Sequence, residues 1–162
     1  MFCVGFASPQ GSALASLGVF ASPWVANPPQ GAAANADNNN IVEITKGRKV
    51  YFWDTGIRNA VIGNFAPVSL RQDVGALWEN YLVSERRKAL AYAQSPARCY
   101  FWRTTTQSEI DYIEELDGRF AAFEFKWNVR RSPRMPAPFA SAYPESSWTV
   151  VTHDDYQSFL TL

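Results

Sequence analysis

The dipeptide Asp117-Gly118 stands between two runs of alternating character, Glu109–Glu115 and Arg119–Trp127. Asp-Gly accepts the positive φ values of a two-residue hairpin turn, so the runs are expected to fold back as antiparallel strands. Pairing about that turn sets Asp111 near Glu124. In the second run Ala121, Phe123, Phe125 and Trp127 share one parity, and Ala122, Glu124 and Lys126 share the other. In the first run Glu109, Asp111, Ile113 and Glu115 lie opposite Ile110, Tyr112 and Glu114. Asp111, Glu124 and Lys126 are thus expected to converge at one sheet surface.

The flanking segments supply the rest of a domain. Val50–Trp53 reads as a strand or extended segment. Asp54 can cap a helix through Ile62, which Gly63-Asn64 ends. Ser69 and Gln72 match a capping box for a helix running to about Ala93, with Val74, Leu77, Trp78, Tyr81, Leu82 and Ala89 at helical spacing. Gly75, early in that helix, is read as a point of close packing. Cys99–Thr104 and Ser147–Val151 read as further strands, Phe139–Tyr143 and Asp154–Leu160 as short helices. The order predicts an α/β (α+β) domain: a mixed sheet flanked by helices.

Composition divides the chain near residue 40. Residues 1–40 hold no Lys or Arg and one acidic residue, Asp37, and Ala, Gly, Pro, Ser and Asn fill 26 of the 40 positions. Such a segment cannot bury enough apolar surface to offset its ordering entropy, and it reads as a disordered, low-complexity tail. Short strands around Val19–Phe20 are the alternative. It lacks the basic start of a secretory signal. All fifteen basic residues and fourteen of the fifteen acidic ones follow Ile41, so residues 41–162 are expected to form one domain.

The charges exclude several functions. Fifteen Lys and Arg balance fifteen Asp and Glu, which argues against a strongly basic nucleic-acid binder. No uninterrupted apolar stretch approaches twenty residues, so no membrane helix is expected and the chain is read as cytoplasmic. Cys3, Cys99 and the single histidine, His153, leave no Cys/His zinc site or Ser-His-Asp triad to build. Any metal must be held by carboxylates. Asp111 and Glu124 suit Mg²⁺ or Mn²⁺, with Glu79 as a direct or outer ligand from the preceding helix and Lys126 beside them to orient water or offset phosphoryl charge. The competing reading is an ordinary Glu/Lys pair on a solvated face.

Several separate blocks carry a resemblance. Val50-Tyr51-Phe52-Trp53-Asp54-Thr55-Gly56-Ile57-Arg58-Asn59, Gly75-Ala76-Leu77-Trp78-Glu79-Asn80, Tyr100-Phe101-Trp102-Arg103, Glu109-Ile110-Asp111-Tyr112-Ile113-Glu114 and Phe123-Glu124-Phe125-Lys126-Trp127 resemble the DUF4143 C-terminal domain of prokaryotic AAA-type ATP-binding proteins. That domain is similar to the PD-(D/E)xK nuclease superfamily. The resemblance spans about residues 41–160. It implies a restriction-endonuclease-like sheet and divalent-metal-dependent phosphodiester cleavage of DNA or RNA. The superfamily's helix glutamate falls on Glu79, its strand aspartate on Asp111 and its Glu-x-Lys pair on Glu124 and Lys126. The ATPase expected ahead of such a domain is absent: there is no GxxxxGK[ST] and hence no ATP site of that kind. The first 40 residues read as a replacement start, from a truncated or rearranged gene. The alternative function is a non-catalytic interaction or nucleic-acid-binding module, or an inactive remnant, with a separate P-loop ATPase or a second copy as partner.

Other residues are assigned by chemistry. Arg130, Arg131 and Arg134, after the Glu-x-Lys strand, and Arg103 are candidate phosphate contacts, with a strand-end ion pair as the alternative for Arg103. Arg86, Arg87 and Lys88 could hold phosphates but read first as a solvated helix face, Glu85 is a less favoured second candidate beside Glu79 with a surface ion pair as its alternative, and the tryptophans read as core. Cys99 reads as a small buried hydrophobe, and His153 as a helix-start residue.

Overall fold

In a computed structural model of the chain, the structure describes residues 19–20, 49–104, 107–129 and 132–162. Strand β1 (Val19–Phe20) pairs antiparallel with β2 (Tyr51–Phe52). Two residues of the tail expected to be disordered are therefore a strand. The rest of that tail, like Arg130 and Arg131, lies outside the described residues.

Helix α1 (Thr55–Ile62) has the ends its sequence dictates. The Asp54 carboxylate accepts from the Ile57 N–H at 2.9 Å, and Gly63 ends the helix in the left-handed conformation, φ +66°. A 3₁₀ turn (Val68–Leu70) follows, then α2 (Val74–Tyr92). This corrects the expected Ser69/Gln72 capping box. The N-cap of α2 is Asp73, and its carboxylate makes no cap bond because Arg71 and Arg58 hold it instead. Nor is Gly75 a close approach: a Cβ added there would meet nothing within 4 Å.

Four strands form the main sheet in the order β3 (Arg98–Arg103), β4 (Glu109–Leu116), β5 (Arg119–Phe125) and β6 (Ser147–Val151). Asp117 and Gly118 both take positive φ, +52° and +76°, and place Leu116 opposite Arg119 and Tyr112 opposite Phe123. That is the expected hairpin register. The first three strands are antiparallel, and β6 joins β5 in parallel after crossing over through α3 (Ala137–Ala142), so the sheet is mixed. The short α4 (Gln157–Leu160) closes the chain.

Alternation fills both faces. Trp78, Leu82, Val83 and Leu90 of α2 pack with Cys99, Phe101, Tyr112, Phe125 and Val151 of the sheet and Phe159 of α4. On the other face Tyr100, Trp102, Ile110, Ile113 and Ala122 pack with Phe139 and Tyr143 from the α3 region. Ile110 and Ile113 share a cluster although their parities differ. The cause is a bulge: Tyr100 pairs with Ile113 and Trp102 with Ile110, leaving Asp111 and Tyr112 opposite Phe101 alone. The expected face of Glu109, Asp111 and Ile113, opposite Ile110 and Tyr112, is corrected here. Among the described residues no helix is long and apolar enough to cross a membrane.

Candidate functional site

The β4 bulge gives Asp111 a position that plain alternation would not. A bulge bends its strand and re-aims a side chain. Asp111 Oδ2 accepts the backbone N–H of Phe125 at 2.9 Å, so the carboxylate is fastened to the strand carrying Glu124. Its other oxygen, Oδ1, stands 3.5 Å from the ammonium of Lys49.

Lys49 draws the cluster together. Its Nζ lies 2.9 Å from Glu79 Oε1 on α2 and 2.5 Å from Glu109 Oε1 on β4, with the side chain 9% exposed. Tyr51, two residues on and therefore on the same side of an extended segment, donates its hydroxyl to the same Glu79 oxygen at 2.6 Å. Asn80, next to Glu79, accepts from the Phe52 N–H and donates to the Phe52 carbonyl, both at 2.8 Å. The β2 segment is thereby clamped to α2, and Lys49 and Tyr51 are carried to the cluster.

Glu124 and Lys126 form their own pair at 2.6 Å, with Glu124 13% and Lys126 44% exposed. The Lys126 backbone N–H donates to the Val151 carbonyl at 3.0 Å, which extends the β5–β6 alignment past the end of the strand.

The electrostatics bind these groups into one unit. Burial raises the Asp111 carboxyl most, followed by the charge of Glu79, with Glu124 adding to it. Lys49 and the Phe125 N–H oppose the rise, and the group is pushed up to about 7. Burial works against the charge on Lys49, but Glu79, Asp111 and Glu109 outweigh it and hold the ammonium above the ordinary lysine range. Burial and then Glu79 push the Tyr51 phenol well above its ordinary range. Burial likewise opposes the Lys126 charge, yet Glu124, then Asp111 and Glu79, hold it above the ordinary value.

All four expected site residues, Glu79, Asp111, Glu124 and Lys126, thus belong to one electrostatic group. Three members were missed: Lys49, Tyr51 and Glu109. The signals available were Glu109 two positions before Asp111, and Lys49 and Tyr51 alternating with Val50.

Three of the site's carboxylates, those of Glu79, Glu109 and Asp111, are engaged by the Lys49 ammonium. Three carboxylates are suitable hard oxygen donors for Mg²⁺ or Mn²⁺. Yet among the described residues no group of three or more His, Cys, Asp or Glu side chains is placed to hold a metal ion. Glu79, Glu109 and Asp111 are gathered around an ammonium at hydrogen-bond distances. A magnesium ion needs its oxygens at about 2.0–2.1 Å in near-octahedral order.

The other candidates separate by what they touch. Arg103 is half exposed, with Nε 3.7 Å from Glu109 Oε2, and Arg134 is exposed. Arg86 is not on a solvated face. Its guanidinium donates to both Glu114 oxygens at 2.7 and 2.8 Å, to the Phe159 carbonyl at 2.7 Å and to the Thr161 carbonyl at 2.9 Å. Arg87 reaches Cys99 Sγ at 3.2 Å, and Lys88 pairs with Glu85 at 2.7 Å. The ring of Trp78 packs edge-on against Trp127, and Trp102 against Phe139. His153 stacks on Trp127, with Nδ1 2.6 Å from the Trp127 carbonyl oxygen.

The chain is therefore a mixed α/β domain with an acidic, lysine-bearing cluster beside its sheet. The chain belongs to the family described as a domain of unknown function, DUF4143, whose model matches residues 74–161. It is similar to the uncharacterized proteins Mb2031c of Mycobacterium bovis and Rv2008c of Mycobacterium tuberculosis. Each is 34% identical over 80 residues, covering 48% of this chain and 17% of the relative. The chain thus spans less than a fifth of the length of these curated relatives. No solved structure matches it.

Proposed function

We propose that this chain is a nuclease-like domain, related to the PD-(D/E)xK superfamily, that acts on phosphodiester bonds of DNA or RNA in the cytoplasm. The observation that carries this reading is Asp111, pinned to β5 by Phe125 and electrostatically joined to Glu79, Glu124 and Lys126. Four expected residues from three separate stretches of chain interact electrostatically, which an incidental surface Glu/Lys pair would not require. Mg²⁺ or Mn²⁺ is the cofactor this reading expects, and Glu79, Asp111 and Glu124 are the acidic side chains it assigns to the ion. Exposed Arg103 and Arg134 are proposed as phosphate contacts, together with Arg130 and Arg131.

A second reading has an observation of its own. Lys49 neutralises much of the cluster's charge, as a non-catalytic module of an AAA-type ATP-binding system would allow. Val61, Ile62, Phe65, Val68 and Leu70 are exposed apolar residues on α1 and the segment after it. They offer a surface for a separate P-loop ATPase or a second copy.

Labelled DNA and RNA incubated with Mg²⁺ or Mn²⁺ separate the two. Cleavage by the parent chain, lost in Asp111→Ala and Lys126→Ala, supports the nuclease reading. Equal activity in all three removes it. A monodisperse monomer on sizing counts against association with a second copy.

A further inference from the structure

We propose that Lys49 is an internal cation that competes with divalent metal for the carboxylates of Glu79, Glu109 and Asp111. The chain would then hold its own acidic cluster closed until that lysine is displaced. The inference rests on the nuclease reading only for the cluster's purpose; the competition itself follows from geometry.

An ammonium has three N–H donors and one positive charge. Lys49 faces three carboxylate oxygens, at 2.9 Å from Glu79, 2.5 Å from Glu109 and 3.5 Å from Asp111. They come from α2 and from β4, at its bulge and two residues before it, far apart in sequence from Lys49. A metal ion cannot share that point. It needs the same oxygens drawn inward, and a buried positive charge a few ångströms away would repel it. The ammonium also meets the need for a counter-charge that would otherwise make such a cluster bind cations.

The segment that carries Lys49 also has an anchor outside the three carboxylates, the Asn80 side chain. Tyr51, two residues later, bonds Glu79, and the next residue, Phe52, is held at both backbone groups by Asn80. Removing the lysine charge therefore leaves the β2 segment anchored and the carboxylates exposed to an outside cation.

The test is Mn²⁺ binding by the full chain, read from the loss of the free-ion electron paramagnetic resonance signal, in wild type, Lys49→Met, Lys49→Gln and Lys49→Gln/Asp111→Asn. Thermal melts establish folding. Either single variant should bind Mn²⁺ at least about tenfold more tightly than wild type, and the double variant should lose that gain. Lys49→Gln retains hydrogen-bond donors and serves where Lys49→Met does not fold. Wild type binding as tightly as both variants overturns the proposal, as does a gain that survives Asp111→Asn. If neither single variant folds, Lys49 is a fixed structural ion pair and the proposal falls. Cleavage enters none of these readouts. Tighter Mn²⁺ binding by a variant that cuts no nucleic acid would keep the competition and remove the nuclease reading.

Discussion

The Asn80 side chain closes a two-way hydrogen-bonded ring with the backbone of Phe52, accepting its N–H and donating to its carbonyl, each at 2.8 Å. Asn80 is 2% exposed. An amide is the group that can do both, since a carboxylate only accepts and an alanine does neither. Asn80→Ala is expected to cost about 2–3 kcal/mol, two net hydrogen bonds together with the cost of stranding buried groups. The accompanying readout is amide exchange at Tyr51 and Phe52, which should rise toward that of unprotected chain. Unchanged exchange would mean that β2 is held by something else.

Arg86 joins three parts of the chain: α2, β4 through Glu114, and the C-terminal carbonyls of Phe159 and Thr161. Glu114 is buried, and Tyr112 also donates to it at 2.7 Å. Arg86→Ala strands that carboxylate and is expected to destabilise the domain by about 3–5 kcal/mol in urea unfolding. Arg86→Met with Glu114→Gln removes both charges together and should recover a large part of the loss. A single-variant loss below about 1 kcal/mol would show that the pair contributes no more than a surface bridge.

Asp73 accepts from Arg71 Nε and Nη2 at 2.8 and 2.9 Å and from Arg58 Nη1 at 2.9 Å. The Arg71 hydrogen bonds, aided by Arg58, hold its carboxyl well below the usual aspartate range against a smaller opposing effect of burial. A carboxyl with a depressed folded-state pKa contributes stability that is fully present above its unfolded value, about 3.9, and lost as pH falls through the folded value. The stability difference between wild type and Asp73→Asn should therefore be constant from pH 5 to 8 and shrink below about pH 4. Its plateau is expected near 1 kcal/mol, because the group is partly solvated. A difference that grows with acid contradicts the assignment.

Gly75 lies in the first turn of α2, and a Cβ there would meet nothing within 4 Å. Gly75→Ala should stabilise the domain by about 0.5–1 kcal/mol through helix propensity. Gly63→Ala should do the opposite by about 1 kcal/mol, although its Cβ also meets open space, because φ is +66° at that cap. Thermal melts of the two variants should move in opposite directions, and destabilisation by Gly75→Ala would reveal a packing role absent from the fold.

What the sequence determined by itself was local. Asp54 and Gly63 set both ends of α1, and Ser147–Val151 reads directly as the β6 strand. Asp117-Gly118 fixed the turn and with it the pairing of Tyr112 with Phe123, so the approach of Asp111 to Glu124 followed from short-range chemistry. Glu79 was legible through helical spacing and through its family block.

Tertiary packing decided the rest. The bulge at Asp111-Tyr112 arises where β4 must satisfy β3 and β5 at once, and no residue type at those positions announces it. Asp73 matches a helix cap locally, but two arginines outcompete the helix N–H groups for its carboxylate. Arg86 looks like a surface charge within its own helix; the end of the chain, 73 residues later, makes it an internal tie. Lys49 sits in an ordinary charged stretch, and only the fold brings Glu79, Glu109 and Asp111 around it from distant positions. Propensities and turn signals act over a few residues, whereas a buried charge takes whatever opposite charges the packed chain delivers to it.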